Sequence, residues 1–85
     1  MRLTKCKQRE WLLAARLSKG LSQAEMAEEL GISLSYYSLI EAGRRQRKMD
    51  IALVHQLSEI LGLPLGRTID CELRWKAGAE AEGNV

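Results

Sequence analysis

Eighty-five residues, 46% hydrophobic and 28% charged, allow one small domain with a single core. Aromatics are few and Phe is absent, so that core must come mainly from Leu, Ile, Val, Met and Ala, which suits packed helices and argues against an all-β sandwich. The net charge of +2 decides little by itself, and no apolar run approaches the roughly 18 residues of a membrane span.

The first helix is expected from about Lys7 to Ser18, with Trp11, Leu12, Ala15 and Leu17 as its apolar positions and Lys19-Gly20 as its stop. A second helix begins at Ser22. Ser22-Gln-Ala-Glu25 reads as a capping box, in which the serine hydroxyl accepts from the Glu25 backbone N–H and the carboxylate reaches back. Met26, Ala27 and Leu30 make its apolar stripe, and Gly31 ends it by taking the left-handed conformation without steric cost. Ser33 caps a third helix, about Leu34 to Glu41, closed by Ala42-Gly43. A basic loop, Arg44-Arg-Gln-Arg-Lys48, leads to Asp50, the cap of a fourth helix over about Ile51 to Leu61, with Gly62 as its stop. Beyond Pro64 a fifth helix is expected from about Leu65 to Trp75. Residues 77–85, poor in large apolar side chains, read as a disordered tail. The chain is expected to divide accordingly into a basic arm over 1–6, one domain over 7–76 and the tail, without a second domain for sensing or catalysis.

Charge is unevenly spread. Residues 1–50 hold ten Lys/Arg against six Asp/Glu (+4), whereas residues 51–85 hold three against five (−2). The cations cluster at Arg2, Lys5, Lys7 and Arg9 and again at Arg44, Arg45, Arg47 and Lys48. A polyanion is the partner this suggests for the first half, with solvated surface as the alternative. Cys6 and Cys71 stand far apart and form no CxxC pair, and the N-terminus lacks the apolar segment of a signal peptide. A reduced cytoplasmic protein is the expectation.

Two short helices joined by a turn around Gly31 make a helix-turn-helix. Ala27 falls where the two cross, and Met26, Leu30, Ile32, Tyr37 and Ile40 fill the positions where such a unit needs apolar groups. The run Arg16-Leu-Ser-Lys-Gly-Leu-Ser-Gln-Ala-Glu-Met-Ala-Glu-Glu-Leu-Gly-Ile-Ser33, with Ile-Glu-Ala-Gly43 closing the next helix, resembles the lambda-repressor-like, XRE/Cro-type DNA-binding domains of bacterial and phage regulators. The similarity spans about Trp11 to Ile69. It implies an all-α, five-helix domain that binds double-stranded operator DNA through its third helix, usually as a two-fold dimer, and regulates transcription; the expectation for this chain is a homodimeric repressor in the cytoplasm or nucleoid of a bacterium or phage-infected cell.

The resemblance also implies roles for individual residues. Gln23 matches a glutamine that contacts a DNA phosphate and braces the recognition helix. Arg16 and Glu41 match an ion pair that ties the first helix to the third. Leu34, Ser35 and Leu39 match base-edge readers, and Tyr36 and Ser38 match residues that touch bases or backbone. The departure is that this face offers leucines and hydroxyls where bidentate readers such as Gln, Arg or Asn often stand, so readout would lean on thymine methyls, phosphate bonds and DNA shape. The loop of Arg44, Arg45, Arg47 and Lys48 would lie along the phosphate backbone. Arg2, Lys5 and Lys7 would form an arm over that backbone or a solvated run.

Leu63, Leu65, Ile69 and Leu73 make an apolar strip expected to join two copies, with packing onto the rest of the domain as the alternative. Lone His55 has no ligand-spaced neighbour, so no metal is expected. No catalytic constellation or cofactor motif is present, and the expectation is a protein that is not an enzyme. Two other readings stand beside the operator-binding one. The chain could be the DNA-binding antitoxin partner of a toxin, or a protein-interaction module that docks a regulatory protein on Leu34, Tyr36 and Leu39.

Overall fold

The computed structural model describes residues 8–83, with side chains described through residue 78. Five helices follow in order: α1 (Glu10–Ser18), α2 (Gln23–Leu30), α3 (Leu34–Glu41), α4 (Ile51–Leu61) and α5 (Leu65–Gly83). The domain is all-α, and no strand occurs among the described residues.

Local chemistry sets most of the boundaries. The capping box forms in full: Glu25 N donates to Ser22 Oγ at 3.0 Å, and Ser22 N donates to Glu25 Oε1 at 2.8 Å. Gly31 closes α2 at φ 72°, and a Cβ there would meet nothing within 4 Å, so the backbone angle rather than space calls for glycine. Ser33 caps α3 by accepting from Tyr36 N, and Asp50 caps α4 by accepting from Ala52 N. Gly62 ends α4 in the left-handed region.

One core fills the centre. Leu12, Met26, Ala27, Leu30, Tyr37, Ile40, Leu53, Leu57 and Leu61 are buried together, so α1 to α4 all contribute. α2 packs on α3, α4 on α5, and α1 touches both α3 and α5. Relative to the side-chain transfer scale, each fully buried Leu or Ile contributes about 1.5–3 kcal/mol.

Three features of α1 and α5 depart from expectation. α1 starts at Glu10, not Lys7: Arg9 sits at ψ 80° and its N–H donates to Glu41 O at 2.8 Å, and Gln8 and Arg9 lie outside the helix. Leu17 is 61% exposed, because Leu12 and Arg16 occupy the inward face one turn apart and Leu17 lies about 100° round from Arg16. The tail expected from Ala77 is instead helical to Gly83. Ala and Glu there are strong helix formers, and they continue a helix already anchored by Trp75. Arg2, Lys5, Cys6 and Lys7 lie outside the described residues.

Candidate nucleic-acid interface

The outer face of the helix-turn-helix is positioned by what lies behind it. Arg16 and Glu41 form a buried bidentate pair, Nε to Oε2 at 2.8 Å and Nη2 to Oε1 at 3.0 Å, between α1 and α3. The third arm of the guanidinium donates to Leu21 O at 2.8 Å, in the turn before α2. Two neutral donors complete the carboxylate: Tyr37 Oη to Oε2 and Gln23 Nε2 to Oε1, each at 2.7 Å. One acidic side chain therefore joins α1, α2 and α3. Burial alone would raise the Glu41 carboxyl, but the donors from Arg16, Tyr37 and Gln23 outweigh it and hold the group below the usual carboxylate range. The hydrogen bond to Glu41 raises Arg16 above the ordinary guanidinium value, and burial, aided by the same carboxylate, raises Tyr37.

Against that brace α3 presents a graded face. Leu34 and Ser35 are exposed, while Tyr36, Ser38 and Leu39 are half-buried. The Tyr36 ring packs against the core cluster, so only part of it looks outward. Gln23 does not point freely into solvent: its amide spans Glu41 and Ser38, with Ser38 Oγ donating to Gln23 Oε1 at 3.0 Å.

The loop after α3 is tightly held. Arg44 and Arg45 are exposed, and their backbone N–H groups both donate to Leu39 O, at 2.8 and 3.3 Å. Gln46 adopts φ 57°, uncommon for a residue with a side chain. Its carbonyl accepts from Arg9 Nη2 at 2.8 Å, its Nε2 donates to Tyr36 Oη at 2.8 Å, and its Oε1 accepts from Asp50 N at 3.0 Å. Arg47 and Lys48 are exposed as well, yet they line a different feature, a groove of about 330 Å³ between the start of α4 and α5. Ile51, Val54, Ile69 and Leu73 form its apolar wall.

Arg9, counted from sequence with the N-terminal surface cations, is fully buried. Its guanidinium meets Glu72 of α5, lies 4.2 Å from the Trp75 ring, and also donates to Ile40 O at the end of α3. Trp11 Nε1 adds a bond to Glu72 Oε1 at 2.9 Å. Neither Arg9, Glu72 nor Gln46 carried a sequence signal for these roles, since their partners are remote and the left-handed residue is not a glycine.

On the α5 side, Leu65, Ile69 and Leu73 are exposed on one stripe, whereas Leu63 is half-buried against the core and does not share that face. His55 is surface-exposed beside Glu59, 3.6 Å away. Among the described residues no group of three His, Cys, Asp or Glu could hold a metal ion, and no helix is long and apolar enough to cross a membrane.

A family model described as Helix-turn-helix matches residues 12–67, well over half of the chain. An uncharacterized HTH-type transcriptional regulator, YqaF, of Bacillus subtilis (strain 168) is 39% identical over 54 residues, which cover 64% of this chain and 68% of that protein. No solved structure matches the chain significantly. With its capped α2–turn–α3 unit and five-helix order, the chain belongs to the helix-turn-helix family, in its lambda-repressor-like, XRE/Cro-type branch.

Proposed function

We propose that this chain binds double-stranded DNA sequence-specifically, with α3 in the major groove, and regulates transcription as a homodimeric repressor in the cytoplasm. The role is binding, not catalysis. The observation that carries the reading is the juxtaposition of α3, braced from behind through Glu41, with exposed Arg44 and Arg45 on the loop that leaves it. A rigid helix supplies base-edge contacts from Leu34, Ser35 and Leu39, and contacts to bases or backbone from Tyr36 and Ser38. Cations beside it supply the counterion-release term that dominates affinity. Gln23 braces α3 through Glu41 and Ser38 and contacts a DNA phosphate from the first turn of α2, a helix N-terminus that suits an anion.

Leu65, Ile69 and Leu73, continuous with the apolar wall of the α4–α5 groove, support a two-fold contact between copies. Such a contact would space two recognition helices one DNA turn apart, about 34–36 Å. Arg47 and Lys48 then sit at the rim of that contact as well as near DNA.

Selection from a random-sequence DNA pool across a salt series tests the reading. A roughly palindromic enriched site, bound with an affinity that falls steeply as salt rises, is the expected result. A chain that captures no DNA even at low salt would not be a DNA-binding protein, and the exposed Leu34 face would then serve a protein partner.

A further inference from the structure

A hydroxyl group ordinarily adapts to its partner, because it carries one proton and lone pairs and can turn either outward. On that basis the outward serines and tyrosine of α3, Ser35, Ser38 and Tyr36, would be poor discriminators. Two of them are not free to turn.

Behind Ser38 stands Gln23, and behind Gln23 stands the Glu41 carboxylate, 2.7 Å from its amide. A carboxylate only accepts, so the NH₂ end of Gln23 must face it. The amide oxygen is thereby turned toward Ser38 Oγ, 3.0 Å away, and two oxygens at that distance need a proton between them. Ser38 supplies it. Its one proton is committed inward, and what remains outward is lone-pair density.

Tyr36 is held in the opposite sense. The backbone N–H of Asp50 can only donate, and it donates to Gln46 Oε1 at 3.0 Å. The amide orientation follows, with Nε2 placed 2.8 Å from Tyr36 Oη and donating to it. The phenol proton is left to point elsewhere. Both anchors, a carboxylate and a peptide N–H, have a polarity that does not change when DNA arrives.

We propose that Tyr36 and Ser38 meet DNA with fixed and opposite hydrogen-bond polarity, Tyr36 as a donor and Ser38 as an acceptor, set by Gln46 and Gln23. This rests on the DNA-binding reading above and narrows it. Phosphate oxygens accept only, so Ser38 does not serve the backbone. In the major groove the donors it can meet are the exocyclic amines, N4 of cytosine and N6 of adenine. Ser38 is therefore a specificity-determining residue that selects a base pair with its amine in reach. Tyr36 serves acceptors: a phosphate oxygen, guanine O6 or N7, adenine N7, or thymine O4.

The test has a DNA arm and a free-protein arm. In the DNA arm, wild type, Ser38→Ala and Ser38→Thr are each selected on a random pool. Ser38→Ala is expected to bind the wild-type site roughly five- to tenfold more weakly and to lose enrichment at one cytosine or adenine, and Ser38→Thr to keep both. Replacing that base with its amine-free analogue, zebularine or nebularine, should weaken wild type and Ser38→Thr but leave the affinity of Ser38→Ala unchanged. An equal loss for wild type and Ser38→Ala on the analogue, or an unchanged preference in Ser38→Ala, overturns the proposal.

In the free-protein arm the Gln46 side-chain amide is followed by ¹⁵N-resolved NMR. Tyr36→Phe should move one Gln46 amide proton upfield, and an unmoved signal overturns the proposed polarity whatever the DNA result. If that signal moves as expected while wild type binds no DNA at low salt, the DNA-binding reading has failed rather than the hydrogen-bond geometry, and the assignment of Ser38 to a base amine falls with it.

Discussion

Arg9 and Glu72 meet in two parallel hydrogen bonds, Nε to Oε1 and Nη2 to Oε2 at 2.8 Å each, across 63 residues of chain. The same guanidinium donates to the carbonyls of Ile40, Arg45 and Gln46, so one buried cation fastens α5 to the end of α3 and to the loop that carries Arg44 and Arg45. Removing one partner of such a pair leaves an uncompensated buried charge, which typically costs about 3–5 kcal/mol. Glu72→Ala is expected to lower the urea midpoint accordingly. Arg9→Lys is not expected to restore stability, because an ammonium cannot reproduce a planar fork with this many partners. A Lys variant as stable as wild type would show that the fork geometry is immaterial.

The Glu41 network makes stability sensitive to acid. In the unfolded chain this carboxyl takes up its proton near pH 4.3, whereas in the folded domain it stays ionised to lower pH. Between those values the unfolded chain binds more protons, so stability rises with pH through the window, is complete above it, and is lost as pH falls through the folded value. Thermal melts from pH 6 downward should show this loss. Glu41→Gln should flatten that limb while lowering the melting temperature at pH 7, and an unchanged acid limb would assign it to other carboxylates.

Tyr37 works at the opposite end. Burial and the hydrogen bond to Glu41 raise its phenol above the ordinary value, so the unfolded tyrosine ionises first as pH rises past about 10. The native state then binds more protons, and stability falls with increasing pH. Tyr37→Phe should remove this alkaline component. At pH 7 it should cost about 1.5–3 kcal/mol, the range for a hydrogen bond to a charged group. Denaturant titrations at pH 7 and above pH 10 would separate the two effects.

The α5 face makes a prediction about assembly. Leu73 is 60% exposed and Ile51 77%, and both line the α4–α5 groove, so a charge at Leu73 should leave the fold intact while opposing association. Sedimentation velocity on Leu73→Glu is expected to show monomer at concentrations where wild type is dimeric, with unchanged helical circular dichroism. A variant that associates as wild type would place the contact elsewhere.

For DNA, Arg44→Ala with Arg45→Ala should weaken all sequences about equally and shallow the salt dependence, by about one unit of log–log slope for each phosphate that is no longer neutralised. A change confined to particular sequences would mean that these arginines read bases.

Much of this protein was legible before its structure, for a definite reason. The caps Ser22, Ser33 and Asp50 and the stop at Gly31 act within one helical turn, so their partners are next to them in sequence and the boundaries of α2, α3 and α4 follow from local chemistry. The inward positions Met26, Leu30, Tyr37 and Ile40 likewise follow from helical periodicity. Where a nonlocal bond competed, at Arg9 before α1, the local reading placed the boundary three residues early.

What only the tertiary structure decided is which way polar groups are turned. Arg9 looked like a surface cation until Glu72 and Trp75 were brought to it. Tyr36 and Ser38 looked adaptable until Gln46 and Gln23, ten and fifteen residues away along the chain, were set against them. A hydroxyl's polarity depends on whatever its neighbour is itself bonded to. That neighbour is placed by the packing of whole helices and by the course of a loop, neither of which any short stretch of residues contains.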